Sequence, residues 1–346
     1  MRVALVNDVK MAVEALRRVV DAMPDASVAW IAEDGQQAID RCRADRPDLV
    51  LMDLIMPNVD GVEATRRIMQ ECPCPILVVT ATVTGNCSKV YEALGHGAVD
   101  AVNTPVLGRD NQVAGGEEMI RKMRTVMRLQ RCTSEQADVA PAEPSVAPPD
   151  TDIHVPLVVI GASTGGPQAL ETVLAGLKRP LPYSVVVVQH LDPQFVPGLA
   201  EWLNQETRLT VEPIREGDPP TAGTVHLAST PDHLVIGGGG RLRYVKQPAQ
   251  HVHRPSVDVF FASLLQHRVR PGVAVLLTGM GRDGAAGLKS LHEAGWKTVV
   301  QDQETSIIWG MPGAAANLGA ADWVLPIDKI GPAITSAVSS SCAAQQ

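Results

Sequence analysis

The sequence predicts an α/β protein built from two doubly wound parallel-sheet domains joined by a flexible linker. Three observations predict it. Short, nearly continuous apolar runs alternate with amphipathic stretches of helical period through both halves of the chain. Between the halves, Thr133–Asp152 reads TSEQADVAPAEPSVAPPDTD, rich in Pro, Ala and acidic residues and almost free of bulky apolar side chains. And 346 residues are more than one small core organises. A segment of that composition buries too little surface to offset its ordering entropy, so it reads as an extended linker. The expected division is a domain over 1–130, a linker over 131–152 and a second domain over 153–346. No internal repeat is present.

The first half reads as five βα units. Arg2–Val6, Val28–Ala32, Leu49–Met52, Ile76–Val79 and Val99–Val102 have the apolar continuity of strands covered on both faces. Lys10–Met23 is a helix with the stripe Val13, Leu16, Val19, Val20 and Met23, and Glu117–Gln130 is the last helix before the linker. In the second half the strands are Pro156–Ile160, Val185–Gln189, Val273–Leu277 and Thr298–Gln301. Their helices are Gln168–Leu177, Pro197–Glu206, Asp258–His267 and Ala285–Ala294. A hairpin of His233–Ile236 with Arg241–Val245 turns through the four glycines from Gly237.

Composition narrows the function. Hydrophobic residues at 45% and charged residues at 20% suit a soluble globular chain. Aromatics at 3% and a net charge of −8 argue against a nucleic-acid binder. No apolar run is long enough to insert in a membrane, and the start, MRVALVND, is broken by Asn7 and Asp8 too early for a signal peptide. A cytoplasmic protein is expected. The six cysteines include no CxxC pair, so free thiols are expected rather than a zinc site or disulfides.

In doubly wound sheets, ligands gather beyond the carboxyl ends of the strands. In the first half that edge collects Asp8, Asp53 and Thr80. Two carboxylates form an oxygen site suited to Mg²⁺, beside which an Asp can attack a phosphoryl group while a hydroxyl binds the product. Taken singly, each Asp reads as a helix cap rather than a catalytic group. Together with the string MDLIMPNVDG, they resemble the phosphorylation site of response-regulator receiver domains, which are flavodoxin-like, and the resemblance spans Met1–Gln130. It implies Asp53 as phospho-acceptor, Asp8, Asp53 and the Ile55 carbonyl as Mg²⁺ ligands, and Thr80 as the switch hydroxyl. Two positions depart from the pattern. Asn7 replaces the first of the usual acidic pair, and Thr104 in AVNTP stands where receivers carry a phosphate-binding lysine.

In the second half, IGASTGGP puts Ser163 in a glycine-rich strand-to-helix turn, QHLDP puts His190 after the next strand, and LTGMGRDG puts Asp283 in another glycine turn. All three leave carboxyl ends of strands, as a nucleophile, general base and orienting carboxylate require. The helix N-terminus after Ser163 suits a developing oxyanion. Alternatives stay open on spacing alone: Ser163 and Asp283 as N-caps, His190 as one of nine histidines, or the turn Gly161–Gly166 as a nucleotide loop. The loop reading lacks a GKS or GKT, and Ser163 takes the middle glycine position of GxGxxG. The order Ser, His, Asp also differs from that of α/β-hydrolases.

The strings IGASTGGP, VVVVQHLDP, REGDPP, HRPSVDVFF, LLTGMGRDGAAGL and WGMPGAAANLGAADWVLP resemble the Rossmann-like chemotaxis protein-glutamate methylesterase domain over about His154–Ile330. A receiver in front of this domain is that family's architecture. The resemblance implies Ser163, His190 and Asp283 as the triad and the Met280 backbone amide as an oxyanion donor. It implies hydrolysis of glutamyl methyl esters on the cytoplasmic domain of methyl-accepting chemoreceptors, often with glutamine deamidation. No cofactor is implied for hydrolysis; Mg²⁺ serves phosphorylation of the receiver by a CheA-type histidine kinase. The alternative reading is a receiver-linked signalling adaptor with an inactive hydrolase fold. The pair VND and NTP is similar to methylesterases of surface-sensing, Wsp-type pathways, whose output is cyclic-di-GMP and biofilm growth.

The linker generates one expectation. It holds the receiver at high effective concentration beside the catalytic domain, so a weak docking surface suffices to cover the active-site mouth. Deleting Met1–Asp138, or cutting within Ala140–Pro149, should raise basal esterase activity; equal activity of truncated and full-length protein would count against occlusion.

Overall fold

The computed structural model describes residues 1–80, 87–107, 113–131, 153, 155–248 and 253–343. Two compact units emerge, Met1–Gln136 and Ala137–Gln346. The stretch Thr133–Asp152, expected as linker, lies outside the described residues.

The first unit runs β1 (Arg2–Val6), α1 (Lys10–Asp21), β2 (Ser27–Ala32), α2 (Gly35–Ala44), β3 (Leu49–Asp53), α3 (Gly61–Glu71), β4 (Ile76–Thr80), α4 (Cys87–Gly95), β5 (Asp100–Asn103), the short pair β6 (Val106–Leu107) and β7 (Val113–Ala114), and α5 (Gly116–Arg131). β1 to β5 form one parallel sheet in the order β2-β1-β3-β4-β5. On one face Leu5, Leu51, Leu77 and Val79 pack with Leu16 and Val19 of α1, with Met23 just after it, and with Met119 and Met123 of α5. Strand residues buried on both sides explain why the apolar runs are continuous.

The second unit runs β8 (Leu157–Ala162), α6 (Gly166–Ala175), β9 (Ser184–Gln189), α7 (Val196–Thr207), β10 (Thr210–Pro213), β11 (Thr224–Leu227), β12 (His233–Ile236), β13 (Leu242–Val245), α8 (Val257–Gln266), β14 (Val273–Leu276), α9 (Ala285–Glu293), β15 (Lys297–Gln301), α10 (Met311–Asn317), β16 (Trp323–Leu325) and α11 (Ile327–Ala343). Its seven-stranded parallel sheet has the order β10-β11-β9-β8-β14-β15-β16. Both units are doubly wound, as the sequence predicts. The hairpin β12-β13 is antiparallel with His233 opposite Val245, also as predicted.

Differences from the sequence reading are local. Elements shift by one or two residues: β5 starts at Asp100 rather than Val99, and α6 starts at Gly166 rather than Gln168. β10, β11, β16, α10 and α11 carry no strong periodic signal. β10 and β16 are edge strands, partly exposed, so apolar continuity is not required of them.

The order of the second sheet decides where chemistry is possible. β8 has β9 on one side and β14 on the other, so the chain's progression reverses at β8. The crevice beyond the carboxyl ends of these three strands is the topological switch point.

Candidate active site

Ser163 follows β8 directly. Its N–H donates to the Thr278 carbonyl at 3.0 Å, and its own carbonyl accepts from the Gly166 N–H at 2.8 Å and from Gln189 Nε2 at 2.8 Å. Strand β9 and the segment after β14 thus clamp the turn from both sides. Glycines make the clamp possible. Gly165 sits at φ 76°, a left-handed conformation that only glycine adopts freely. A Cβ on Gly279 would lie 2.3 Å from Met311 Sδ and 2.7 Å from Ser163 Cβ, so the backbone after β14 can approach Ser163 only as glycine. The N-cap of α6 is Gly165, not Ser163, which leaves the serine hydroxyl uncommitted to capping. The side chain is buried, 8% exposed.

His190 follows β9, and its N–H donates to the Ala162 carbonyl at 2.9 Å, beside Ser163. His190 Nε2 lies 2.8 Å from Asp283 Oδ2. With that carboxylate ionised, Nε2 carries the proton and Nδ1 carries the lone pair. His190 Nδ1 is buried and has no hydrogen-bond partner among the described residues. It is therefore the nitrogen that carries the lone pair, left without a bond among the described residues.

Asp283 sits in the glycine turn before α9, whose N-cap is Gly284. It does not cap its own helix; it caps another. Its Oδ2 accepts from the Val257 N–H at 2.7 Å, and its Oδ1 accepts from Ser256 Oγ at 2.7 Å and the Asp258 N–H at 3.1 Å. These donors are the N-terminus of α8, where the helix dipole favours negative charge. Burial alone pushes Asp283 up, but the His190 hydrogen bond and charge, Ser256 and the Val257 N–H outweigh it and hold the carboxyl well below the usual range. In return, Asp258 Oδ1 accepts from the Gly287 N–H at 2.7 Å in the first turn of α9. Burial, then the charge of Asp283, pushes Asp258 up to about 6.

Sequence reasoning missed Ser256, Asp258, His253 and Thr278. Ser256 is fully buried and also receives the His233 ring, whose Nδ1 accepts the Ser256 N–H at 3.2 Å. Thr278 Oγ1 donates to the Thr164 carbonyl at 3.0 Å and accepts from the Ile308 N–H at 2.9 Å, fastening the Ser163 turn to a third segment. HRPSVDVFF held a signal for Ser256, a serine directly before an apolar helical run; nothing local marks Thr278. Met280, singled out for its backbone amide, lies in the loop after β14; that amide has no hydrogen-bond partner among the described residues.

In the first unit, Asp53 ends β3. Its Oδ2 accepts from Asn7 Nδ2 at 2.9 Å and its Oδ1 from the Leu54 N–H at 2.7 Å. Asn7 is buried, and its Oδ1 accepts from the Val9 N–H at 2.8 Å. Asp8 is exposed and is not the cap of α1, which is Val9. Burial first, and the charge of Asp8 in addition, push Asp53 up against the Ile55 and Leu54 N–H bonds that pull it down. Thr80 is buried at the end of β4, and the Thr104 N–H donates to its carbonyl at 2.9 Å, so both predicted switch positions share this edge. Ile55 is half exposed at 52%. Two basic side chains of this unit are engaged elsewhere: Lys89 on Asp60 at 2.8 Å, and Lys122 on Asp100 at 2.9 Å at the start of β5. Lys10 lines a cleft of about 270 Å³ together with Asn7 and Asp8.

Comparison with known proteins adds the following. Residues 158–334 match the sequence profile described as CheB methylesterase, and residues 3–111 match the response regulator receiver domain. The chain is 48% identical to a Burkholderia thailandensis protein named protein-glutamate methylesterase/protein-glutamine glutaminase 4, over 98% of both chains. It is 49% identical to a Bordetella avium protein of the same name, numbered 1, over 96% of both. Among solved structures, the Thermotoga maritima CheB methylesterase catalytic domain is similar with a TM-score of 0.50 and 33% identity, covering 53% of this chain and 99% of that one.

The carboxylate pair yields a pH prediction. Asp283 is depressed in the folded state, so its contribution to stability is present above the ordinary carboxylate pKa and lost as pH falls below it. Asp258 is raised, so stability falls as pH rises from the ordinary value of 3.8 toward about 6, and falls no further above that. Asp258→Asn keeps an oxygen for the Gly287 N–H and removes the second charge. In urea denaturation followed by tryptophan fluorescence, the variant should exceed the wild type at pH 7 by of order 1 kcal/mol, with the gap closing toward pH 4. A gap independent of pH would show that Asp258 does not titrate in this way.

Proposed function

The chain belongs to the CheB methylesterase family, with a receiver domain ahead of the catalytic domain, and we propose that it hydrolyses glutamyl methyl esters of a chemoreceptor's cytoplasmic domain under control of phosphorylation at Asp53. One observation carries the chemistry: Asp283 holds His190 by Nε2 and leaves Nδ1 buried and unpartnered at the end of the strand next to Ser163.

Each residue then has a task. Ser163 Oγ attacks the ester carbonyl and its proton passes to His190 Nδ1. The carbonyl oxygen becomes an oxyanion facing the Met280 N–H, which carries no other bond among the described residues. Collapse expels methoxide, which takes the proton from Nδ1 and leaves as methanol. Water then attacks the acyl-serine, giving one proton to Nδ1; Ser163 leaves with that proton, and the glutamic acid side chain is released and ionises by giving its remaining proton to solvent. Asp283 remains ionised throughout and balances the imidazolium. The same steps applied to a glutamine side chain release ammonia, the second activity in the relatives' name.

At the receiver edge, Asp53 and Asp8 with the Ile55 carbonyl are the groups that would hold Mg²⁺. Asp53, whose ionisation is opposed by burial and by the charge of Asp8, fits a divalent cation, which would supply charge neutralisation during phosphoryl transfer from a histidine kinase. Asn7 fixes Asp53 through its amide and adds no charge. Thr104 offers no cation where the phosphate arrives.

Two predictions follow from these assignments. Ser163→Ala should abolish methanol release from methylated receptor while leaving the melting temperature unchanged, because attack and oxyanion stabilisation are each worth roughly a hundredfold or more; retention of more than a few per cent of activity would remove Ser163 from the mechanism. Thr104→Lys should enlarge the stimulation of esterase activity by a small-molecule phosphodonor, by roughly tenfold, since a charge-assisted hydrogen bond is worth about 1.5–3 kcal/mol. No change would mean that another group has taken over the lysine's task.

A further inference from the structure

The ring of His253 lies flat on the ring of His190, with centroids 4.4 Å apart and planes 6° from parallel. None of the steps above uses it. His190 is anchored along one edge, at Nε2, and a ring held at one edge can still tilt about that bond. In the proposed mechanism such a tilt would carry Nδ1 away from the serine it must serve. A flat neighbour on the ring face blocks that motion. His253 also opens the segment that enters α8. Three residues on, Ser256 Oγ donates to Asp283 Oδ1, and the Val257 N–H donates to Asp283 Oδ2. One short stretch of chain therefore sets both the carboxylate at the edge of His190 and the surface against its face.

We infer that His253 is a positioning residue for the catalytic base: its imidazole stacks on His190, keeps Nδ1 directed at Ser163 and stabilises the positive charge His190 acquires on taking the serine proton. This inference rests on the proposed role of Ser163. A cation over the face of an uncharged aromatic ring is attracted by it, whereas a cation over a cation is repelled. The side chain at 253 must therefore be flat and uncharged during turnover. Among the described residues, the ionisable groups bonded to the pair or next to it in sequence are Asp283 at the Nε2 edge of His190, Asp258 close to Asp283, Asp192 in the turn after β9, and the exposed Arg254 and Arg282, next in sequence to His253 and Asp283.

Reaction of Ser163 with a fluorophosphonate probe tests this in the full-length protein without the receptor. The Oγ–P bond forms, fluoride leaves, and the serine proton goes to His190 Nδ1, so the labelling rate against pH reports the base directly. At pH 7, His253→Ala should label about tenfold more slowly than wild type. His253→Phe should recover most of that loss, because a flat uncharged face is restored. His253→Lys should label slowly, with its acid limb moved down by about one pH unit, because a fixed cation opposes protonation of His190. Failure of the wild type to label overturns the role of Ser163 and this inference with it. Labelling of the wild type with an equally fast Ala variant, a Phe variant as slow as Ala, or an unmoved acid limb in the Lys variant overturns the role of His253 alone.

Discussion

The second unit is organised around one buried anion. Asp283 has a side chain only 7% exposed, yet it stays ionised. Burying a lone carboxylate costs several kcal/mol, and only dense pairing offsets that. The pairing comes from three directions: the Ser256 hydroxyl, two backbone N–H groups opening α8, and the His190 ring. Each donor needs the anion as much as the anion needs it. The N–H groups of a helix's first turn have no partner inside the helix, and the imidazole needs an acceptor to fix its tautomer. The same carboxylate therefore closes a helix end and orients an imidazole.

The arrangement is reciprocal. Asp283 precedes α9 but caps α8, and Asp258 in α8 accepts from the first turn of α9. The two helices are fastened N-terminus to N-terminus by exchanged acceptors. The cost is a second carboxylate close to the first, which the fold tolerates by raising Asp258. Rigidity is the gain: both helix starts are held in place on the sheet edge where Ser163 and His190 emerge. A site built on strand ends and helix starts keeps its geometry better than one built on free loops.

The receiver edge obeys the same logic with less charge. Asn7 is buried and spends both ends of its amide, one on Asp53 and one on the Val9 N–H. An acidic residue there would add a third negative charge to the Asp8–Asp53 pair. The amide instead donates to Asp53, so the edge is less acidic at rest. With Thr104 in place of a cation, the edge is also less basic. Both departures lower the charge contrast through which a phosphoryl group would act.

Much of this was legible in the sequence for reasons of pattern. Continuous apolar runs such as VVVVQ and VLLT mark strands buried on both faces, because a strand between two helix layers has no polar side. Glycines at 165 and 279 mark turns where the backbone must pass close, because a side chain there would collide. With the strands placed, the rule that ligands gather at their carboxyl ends brings Ser163, His190 and Asp283 to one crevice. The edge strands β10 and β16 escaped, since partly exposed strands need no such pattern. What only the tertiary structure decided is which atoms meet. That Asp283 caps α8 rather than its own helix, that it takes Nε2 of His190 and leaves Nδ1 open, and that His253 lies on the ring face all depend on the angle at which helices settle on the sheet. Apolar periodicity specifies which face of a helix is buried, whereas the pairing of its polar ends is set by distances that form only once the layers have packed.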